Sequence, residues 1–182
     1  MDSTCNIAVI VAGGRGMRMA SQKKKQYLVL EHIPVLSRTL AVFDEHHGVH
    51  GIVLVIPEAD IDYCMEQIIT PFNFKTPIHM VHGGITRQES VYNGLVRARE
   101  LSGHPEKTLV LIHDGVRPFV PPSLMERLID KAGKDHGCIP VMELTDTVKE
   151  ADLDQGLGGR IQRTLDRTRL YRAQTPQVFR LD

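Results

Sequence analysis

Asn6-Ile-Ala-Val-Ile-Val-Ala-Gly-Gly-Arg-Gly-Met-Arg-Met19 decides the fold, because an apolar run suited to a buried strand passes without a break into a glycine-rich turn. The glycines permit positive φ and leave main-chain N–H groups open to an anion, so this turn can cradle phosphates. A tight strand-to-helix link has the same composition. The dinucleotide fingerprint needs a third small residue where Met19 stands, and the Walker pattern needs Lys-Ser/Thr after its last glycine, so neither applies.

Outward from that stretch, apolar runs predict strands at Asn6–Ala12, Gly51–Ile56, Ile78–His82, Lys107–His113 and Gly137–Met142. Helical patterns lie between them. Pro34 suits the first turn of a helix running through Phe43, Arg87–Leu101 reads as helical, and Leu124, Leu128, Ile129 and Ala132 share a face before Gly133 is expected to stop their helix. Strands alternating with helices imply an α/β fold with a mostly parallel sheet covered on both faces, and ligands in such sheets sit beyond the carboxyl ends of the strands. From Glu143 to Arg169 the chain turns polar and holds the turn-prone Gln155-Gly-Leu-Gly-Gly159, which predicts a hairpin-like arm.

The 182 residues suit a single domain, and 42% apolar with 24% charged residues is a globular composition. Lys plus Arg equals Asp plus Glu at 22 each, so nothing draws the surface toward nucleic acid or anionic lipid. No run is long enough to span a bilayer and no targeting segment is visible. Cys5, Cys64 and Cys138 have neither zinc-like nor redox-motif spacing and read as core thiols in a reducing, cytoplasmic setting.

Arg18 and Lys25 follow the glycine turn within one short segment, so two cations can converge on a polyphosphate held there, while Lys23 and Lys24 read as a solvated charge run. Asp114 follows an apolar strand at the edge where α/β sites form; the placement suits a Mg2+ ligand, with a turn or cap residue as the alternative. Arg117 offers a fork for phosphate or for a surface ion pair. His113 reads as a packing residue, and no histidine spacing proposes a zinc site. Ser90 fits a ligand contact or a helix position.

Ala12-Gly-Gly-x-Gly-x-Arg-Met19 with Lys25-Gln-Tyr27 resembles the signature of nucleotidyltransferases that charge sugar and alcohol phosphates. Gly83-Gly84 with Arg87 and Ser90, His113-Asp-Gly-Val-Arg-Pro118, Asp146-Thr147, Asp166-Arg167 and Gln174-Thr-Pro-Gln177 are similar, in order and spacing, to the 2-C-methyl-D-erythritol 4-phosphate cytidylyltransferases. The resemblance implies a three-layer Rossmann-like nucleotidyltransferase domain with a protruding β-arm, acting as a homodimer on CTP, 2-C-methyl-D-erythritol 4-phosphate and Mg2+.

It implies further that Ala12, Gly13, Gly14 and Gly16 hold the triphosphate, that Arg18 and Lys25 stabilise charge at the reacting phosphorus, and that Gly84 and Ser90 read the cytosine. Asp114 would ligate Mg2+. Gly115, Arg117, Thr147, Arg167 and Thr175 would surround the alcohol phosphate, Thr147 and Arg167 reaching across from a second subunit. Ile85 stands where the family commonly has an acidic residue, and family members continue past Asp182 with a closing segment that this chain is expected to lack. Ribitol 5-phosphate cytidylyltransferases share several of these motifs, although Asp166-Arg-Thr-Arg-Leu-Tyr171 favours the erythritol branch. A nucleotide-binding domain without turnover is the alternative from a different class.

Overall fold

Alternation along the first strand sends Ile7 and Val9 to one face of a central sheet and Ala8 and Ile10 to the other, and all four are buried. The computed structural model describes residues 5–14, 24–153 and 158–182. In chain order the elements are β1 (Asn6–Val11), β2 (Val29–Leu30), β3 (Ile33–Pro34), α1 (Val35–Asp44), β4 (Gly51–Ile56), α2 (Ile61–Cys64), β5 (Ile78–His82), α3 (Arg87–Leu101), β6 (Leu109–Asp114), α4 (Pro122–Asp135), β7 (Gly137–Cys138), β8 (Val141–Glu143), β9 (Lys149–Leu153), β10 (Gly159–Thr164), β11 (Tyr171–Ala173) and β12 (Gln177–Arg180).

The main sheet has the order β5-β4-β1-β6-β12-β7, with β5, β4, β1 and β6 parallel and β12 antiparallel to both its neighbours. One face packs on Leu36, Leu40 and Phe43 of α1 and on Met125, Leu128 and Ala132 of α4. The other packs on α3 through Leu95 and Ala98. Gly94 sets the closeness of that contact, since a Cβ there would lie 2.4 Å from Val9 Cγ1 and 2.9 Å from Val55 Cγ2. This is the mainly parallel, three-layer α/β arrangement expected from the alternation of apolar runs and helical patterns.

Strand order positions the site. The chain leaves β1 toward β4 and β5 on one side and then resumes with β6 on the other, so a topological switch point opens between the carboxyl ends of β1 and β6. Those ends are level, Val11 standing opposite Asp114. Because β12 runs antiparallel, its first residue Gln177 pairs near the end of β6, opposite Ile112, and the preceding Thr175 arrives at the same edge.

Several boundaries differ from the sequence-based expectation. The fourth strand covers Leu109–Asp114 because Pro105–Lys107 forms a 3-10 turn. Pro34 is the residue before α1, ending β3, rather than part of the helix. Gly133 does not stop α4: the helix runs on to Asp135 and ends at His136 in the left-handed region, φ 65°. A helical glycine costs only about 1 kcal/mol, and Lys131–Asp135 and Lys134–Asp130 ion pairs span that last turn. The expected strand over Gly137–Met142 divides around Pro140, which has no N–H for a ladder: β7 joins the main sheet while β8 pairs with β11.

The polar stretch does form a hairpin, β9 against β10 with an irregularity between Ile161 and Arg163. Part of its Gln155–Gly159 turn lies outside the described residues.

Candidate functional site

Three turns at the carboxyl edge are pinned by one main-chain bond each beyond the end of the ladder. Ala12 N–H donates to Val55 O (2.8 Å), Gly83 N–H to Ile56 O (2.8 Å) and Gly115 N–H to Val11 O (2.9 Å). The turn after β1 and the turn after β6 then touch: a Cβ on Gly115 would stand 2.8 Å from Ala12 Cβ and 3.0 Å from Leu36 Cδ1, so only glycine admits this approach. Thr39 Oγ1, 3.0 Å away, donates to the Gly115 carbonyl from α1.

The other wall of the crevice is the start of α3. Thr86 and Glu89 form a reciprocal capping box, Glu89 N–H donating to Thr86 Oγ1 and the Glu89 carboxylate accepting from the N–H groups of Ile85 and Thr86. Buried Ser90 accepts from Gly84 N–H at 3.0 Å and donates to Thr86 O at 2.9 Å. Its hydroxyl therefore shapes the Gly83-Gly84 turn, and it sits 3.8 Å from where a Gly13 Cβ would be, which joins that turn to the glycine loop.

At the centre, Asp114 Oδ1 accepts from Arg87 Nη2 (3.0 Å) and Oδ2 accepts from Arg117 Nε (3.0 Å). Arg117 Nη1 also donates to Gln174 Oε1 (2.6 Å), and Thr175 Oγ1 lies 3.5 Å from the Asp114 N–H. Both arginine side chains are about half exposed, so these pairs hold each other weakly, at roughly 0–1 kcal/mol, and are exchangeable for a stronger anion. Behind them His113 is fully buried against Phe43, donates from Nε2 to the Arg117 carbonyl at 3.0 Å, and is pushed down to about 4 by burial. It stays neutral and orders the Asp114–Arg117 turn, which is the structural role expected of it.

The basic flank follows from Gln26, which is buried and donates from Nε2 to the Ala12 carbonyl at 2.7 Å. Lys25, next to it, is half-buried. Lys24 departs from the solvated-run expectation: its Nζ lies 2.6 Å from each carboxylate oxygen of Asp60, whose side chain is 13% exposed. A partner 36 residues away, brought in by the turn at Glu58–Asp60 beyond β4, holds this lysine in an ion pair while leaving it partly exposed. Gly16, Arg18 and Lys23 lie outside the described residues.

Thus Ala12, Gly13, Gly84, Ser90, Asp114, Gly115, Arg117 and Thr175 come together at one crevice, with Gly14 exposed at its rim. Thr147 and Arg167 do not join them within the chain. Both are exposed on the arm, where Arg167 Nη1 donates to the Thr145 carbonyl. Sequence reasoning assigned no role to Arg87 or Gln174, which complete the Asp114–Arg117 cluster, although both stood inside quoted motifs. It missed Asp60 altogether, and no local signal marks that residue.

Of the cysteines Cys64 is fully buried, its pKa pushed up by burial, whereas Cys5, just before β1, and Cys138, in the edge strand β7, are only partly buried against the core. His46, His47 and Glu126 gather within 4.8 Å, but His46 Nδ1 already accepts from Gly48 N–H, which keeps the proton on Nε2 and leaves a cation no lone pair there. Among the described residues no helix is long and apolar enough to cross a membrane.

The family model for 2-C-methyl-D-erythritol 4-phosphate cytidylyltransferase matches residues 6–182. The protein of that name from Geotalea uraniireducens is 40% identical over 173 residues, which is 95% of this chain and 71% of that protein. The one from Syntrophotalea carbinolica is 41% identical over 172 residues, 94% and 70% of the respective chains. Among solved structures, the 4-diphosphocytidyl-2C-methyl-D-erythritol synthase of Anaerococcus prevotii aligns with a TM-score of 0.77 at 31% identity, covering 98% of this chain and 70% of its own.

Proposed function

The chain belongs to the 2-C-methyl-D-erythritol 4-phosphate cytidylyltransferase family, and from that premise we propose that it transfers CMP from CTP to 2-C-methyl-D-erythritol 4-phosphate. The products are pyrophosphate and 4-diphosphocytidyl-2-C-methyl-D-erythritol, in the non-mevalonate route to isoprenoid precursors. The observation that carries this reading is the meeting of the Ala12–Gly14 turn, the Gly84–Ser90 turn and the Asp114–Arg117–Thr175 cluster at one switch-point crevice.

A phosphate oxygen of the alcohol attacks the α-phosphorus of CTP in line and expels pyrophosphate. That oxygen is already anionic, since the second pKa of a phosphate monoester is about 6, so no general base is required and neutral His113 is not one. The barrier is the approach of two anions. Main-chain N–H groups of Gly13, Gly14 and Gly16 receive the triphosphate, and Arg18 and Lys25 set positive charge against the reacting phosphorus and the leaving pyrophosphate. Gly84 and Ser90 border the cytosine. Arg117, with Gly115 and Thr175 beside it, exchanges its half-exposed contact with Asp114 for the alcohol phosphate.

A hard cation fits Asp114, a carboxylate at the strand end whose two oxygens, among the described residues, are held by the exchangeable Arg87 and Arg117 and would ligate it. Mg2+ bound there would screen the triphosphate charge. The arm suits a homodimer. It pairs only with itself among the described residues and, with its base, exposes Val141, Met142, Ile161 and Tyr171, each more than half accessible. Packing against its twin about a two-fold axis buries those groups and carries Thr147 and Arg167 to the neighbour's alcohol phosphate. A cytoplasmic location suits the three free thiols.

Pyrophosphate release by the purified chain with CTP, Mg2+ and 2-C-methyl-D-erythritol 4-phosphate tests the reading. Turnover dependent on all three supports it; saturable CTP binding without turnover would leave a nucleotide-binding domain in its place.

A further inference from the structure

Lys25 is bracketed by anchored neighbours. On one side Lys24 Nζ meets both oxygens of Asp60 at 2.6 Å, and on the other Gln26 holds the Ala12 carbonyl and Tyr27 Oη donates to Asp60 Oδ2 at 2.7 Å. Asp60 thus grips the residues at both ends of the Lys24–Tyr27 turn. Tyr27 is fixed further by Cys64 Sγ at 3.3 Å and by the Tyr63 ring at 4.8 Å. Lys24 has an extended backbone, φ −61° and ψ 141°, so anchoring its side chain on Asp60 fixes how the chain enters the 3-10 turn that begins with Lys25. Of the two adjacent ammonium groups one is neutralised in an ion pair, and the Lys25 ammonium has no partner among the described residues.

We infer that Asp60 is a positioning residue for the transfer reaction: through Lys24 and Tyr27 it sets the turn that presents Lys25 to the triphosphate. The inference rests on the reading that Lys25 acts at the reacting phosphorus. Charge placed by a rigid turn is preorganised, and a displacement of about 1 Å at such a group can cost on the order of 100-fold in rate.

The test is a double-mutant cycle on steady-state pyrophosphate release, with melting temperatures recorded for every variant. Asp60→Asn keeps an acceptor for Tyr27 but loses the ion pair, and Lys24→Met breaks the same pair from its half-exposed side, so one stands in if the other fails to fold. Each is expected to lower kcat about 10- to 100-fold with little change in KM for CTP, whereas Lys24→Arg retains activity. In a Lys25→Ala background Asp60→Asn adds no further loss, because its effect passes through Lys25. Full loss in both backgrounds, or wild-type kcat in Asp60→Asn and Lys24→Met beside a crippled Lys25→Ala, overturns the positioning role alone. Wild-type kcat in Lys25→Ala overturns the underlying reading of Lys25, and the positioning role with it.

Discussion

Gln26 donates its side-chain amide to the main-chain carbonyl of Ala12 across 2.7 Å, so the turn carrying Lys25 and the glycine loop are held as one unit. Gln26 is 2% exposed, and replacing it with Leu strands that carbonyl without a partner at a cost of about 1–3 kcal/mol. Gln26→Leu is therefore expected to lower the melting temperature and, measured at a temperature where the variant stays folded, to reduce kcat. A variant with lowered stability but unaltered kcat separates the fold of this turn from its chemistry.

Asp114→Asn is expected to abolish metal-supported turnover while the fold persists. The amide lacks the charge a hard cation requires, and the arginine pairs it loses are half exposed and contribute little to stability. A Mg2+ titration of activity checks this, and wild-type response across the titration would reduce Asp114 to a turn residue.

His113 gives a pH signature. Its folded pKa is lowered to about 4 from 6.5, so between those values the unfolded chain binds the proton that the folded chain refuses. Stability therefore falls as pH drops through 6.5 and the loss levels off below 4, with a ceiling of about 3 kcal/mol from this group. His113→Leu is expected to be less stable at pH 7, having lost the bond to the Arg117 carbonyl, yet to show a shallower decline between pH 6.5 and 4 in urea titrations. An unchanged slope would mean that His113 is not the group that resists protonation.

Assembly is tested separately from chemistry. Sedimentation at micromolar concentration is expected to give a dimer, and mixing Lys25→Ala with Arg167→Ala subunits is expected to restore part of the activity, since a mixed dimer regains one intact site. A monomer, or no recovery despite subunit exchange, would contradict a shared site.

What the sequence made legible follows from how local each cause was. The limits expected for Gly51–Ile56, Ile78–His82 and the helix Arg87–Leu101 coincide with β4, β5 and α3, because the apolar run or helical pattern of each lies within the element itself. The glycine turn and Asp114 were readable from their places at the ends of β1 and β6, whereas Gly84, Ser90 and Thr175 came from the motif resemblance alone. Asp60 was not readable, because its partners lie 33 and 36 residues away and the contact exists only once β4 has paired with β1. Gly133 misled because a glycine's small helical cost was outweighed by its helix's buried face, Met125, Leu128 and Ala132.

The most direct measurement of the account is kcat/KM for pyrophosphate release from CTP and Mg2+ with 2-C-methyl-D-erythritol 4-phosphate and, in parallel, with ribitol 5-phosphate. Efficient turnover of the methylerythritol phosphate is expected, with formation of its cytidine diphospho-alcohol in the phosphorus NMR spectrum and a kcat/KM at least about tenfold lower for ribitol 5-phosphate, equivalent to about 1.4 kcal/mol of transition-state discrimination. Preference for ribitol 5-phosphate, or pyrophosphate release that is indifferent to the alcohol supplied, would contradict it.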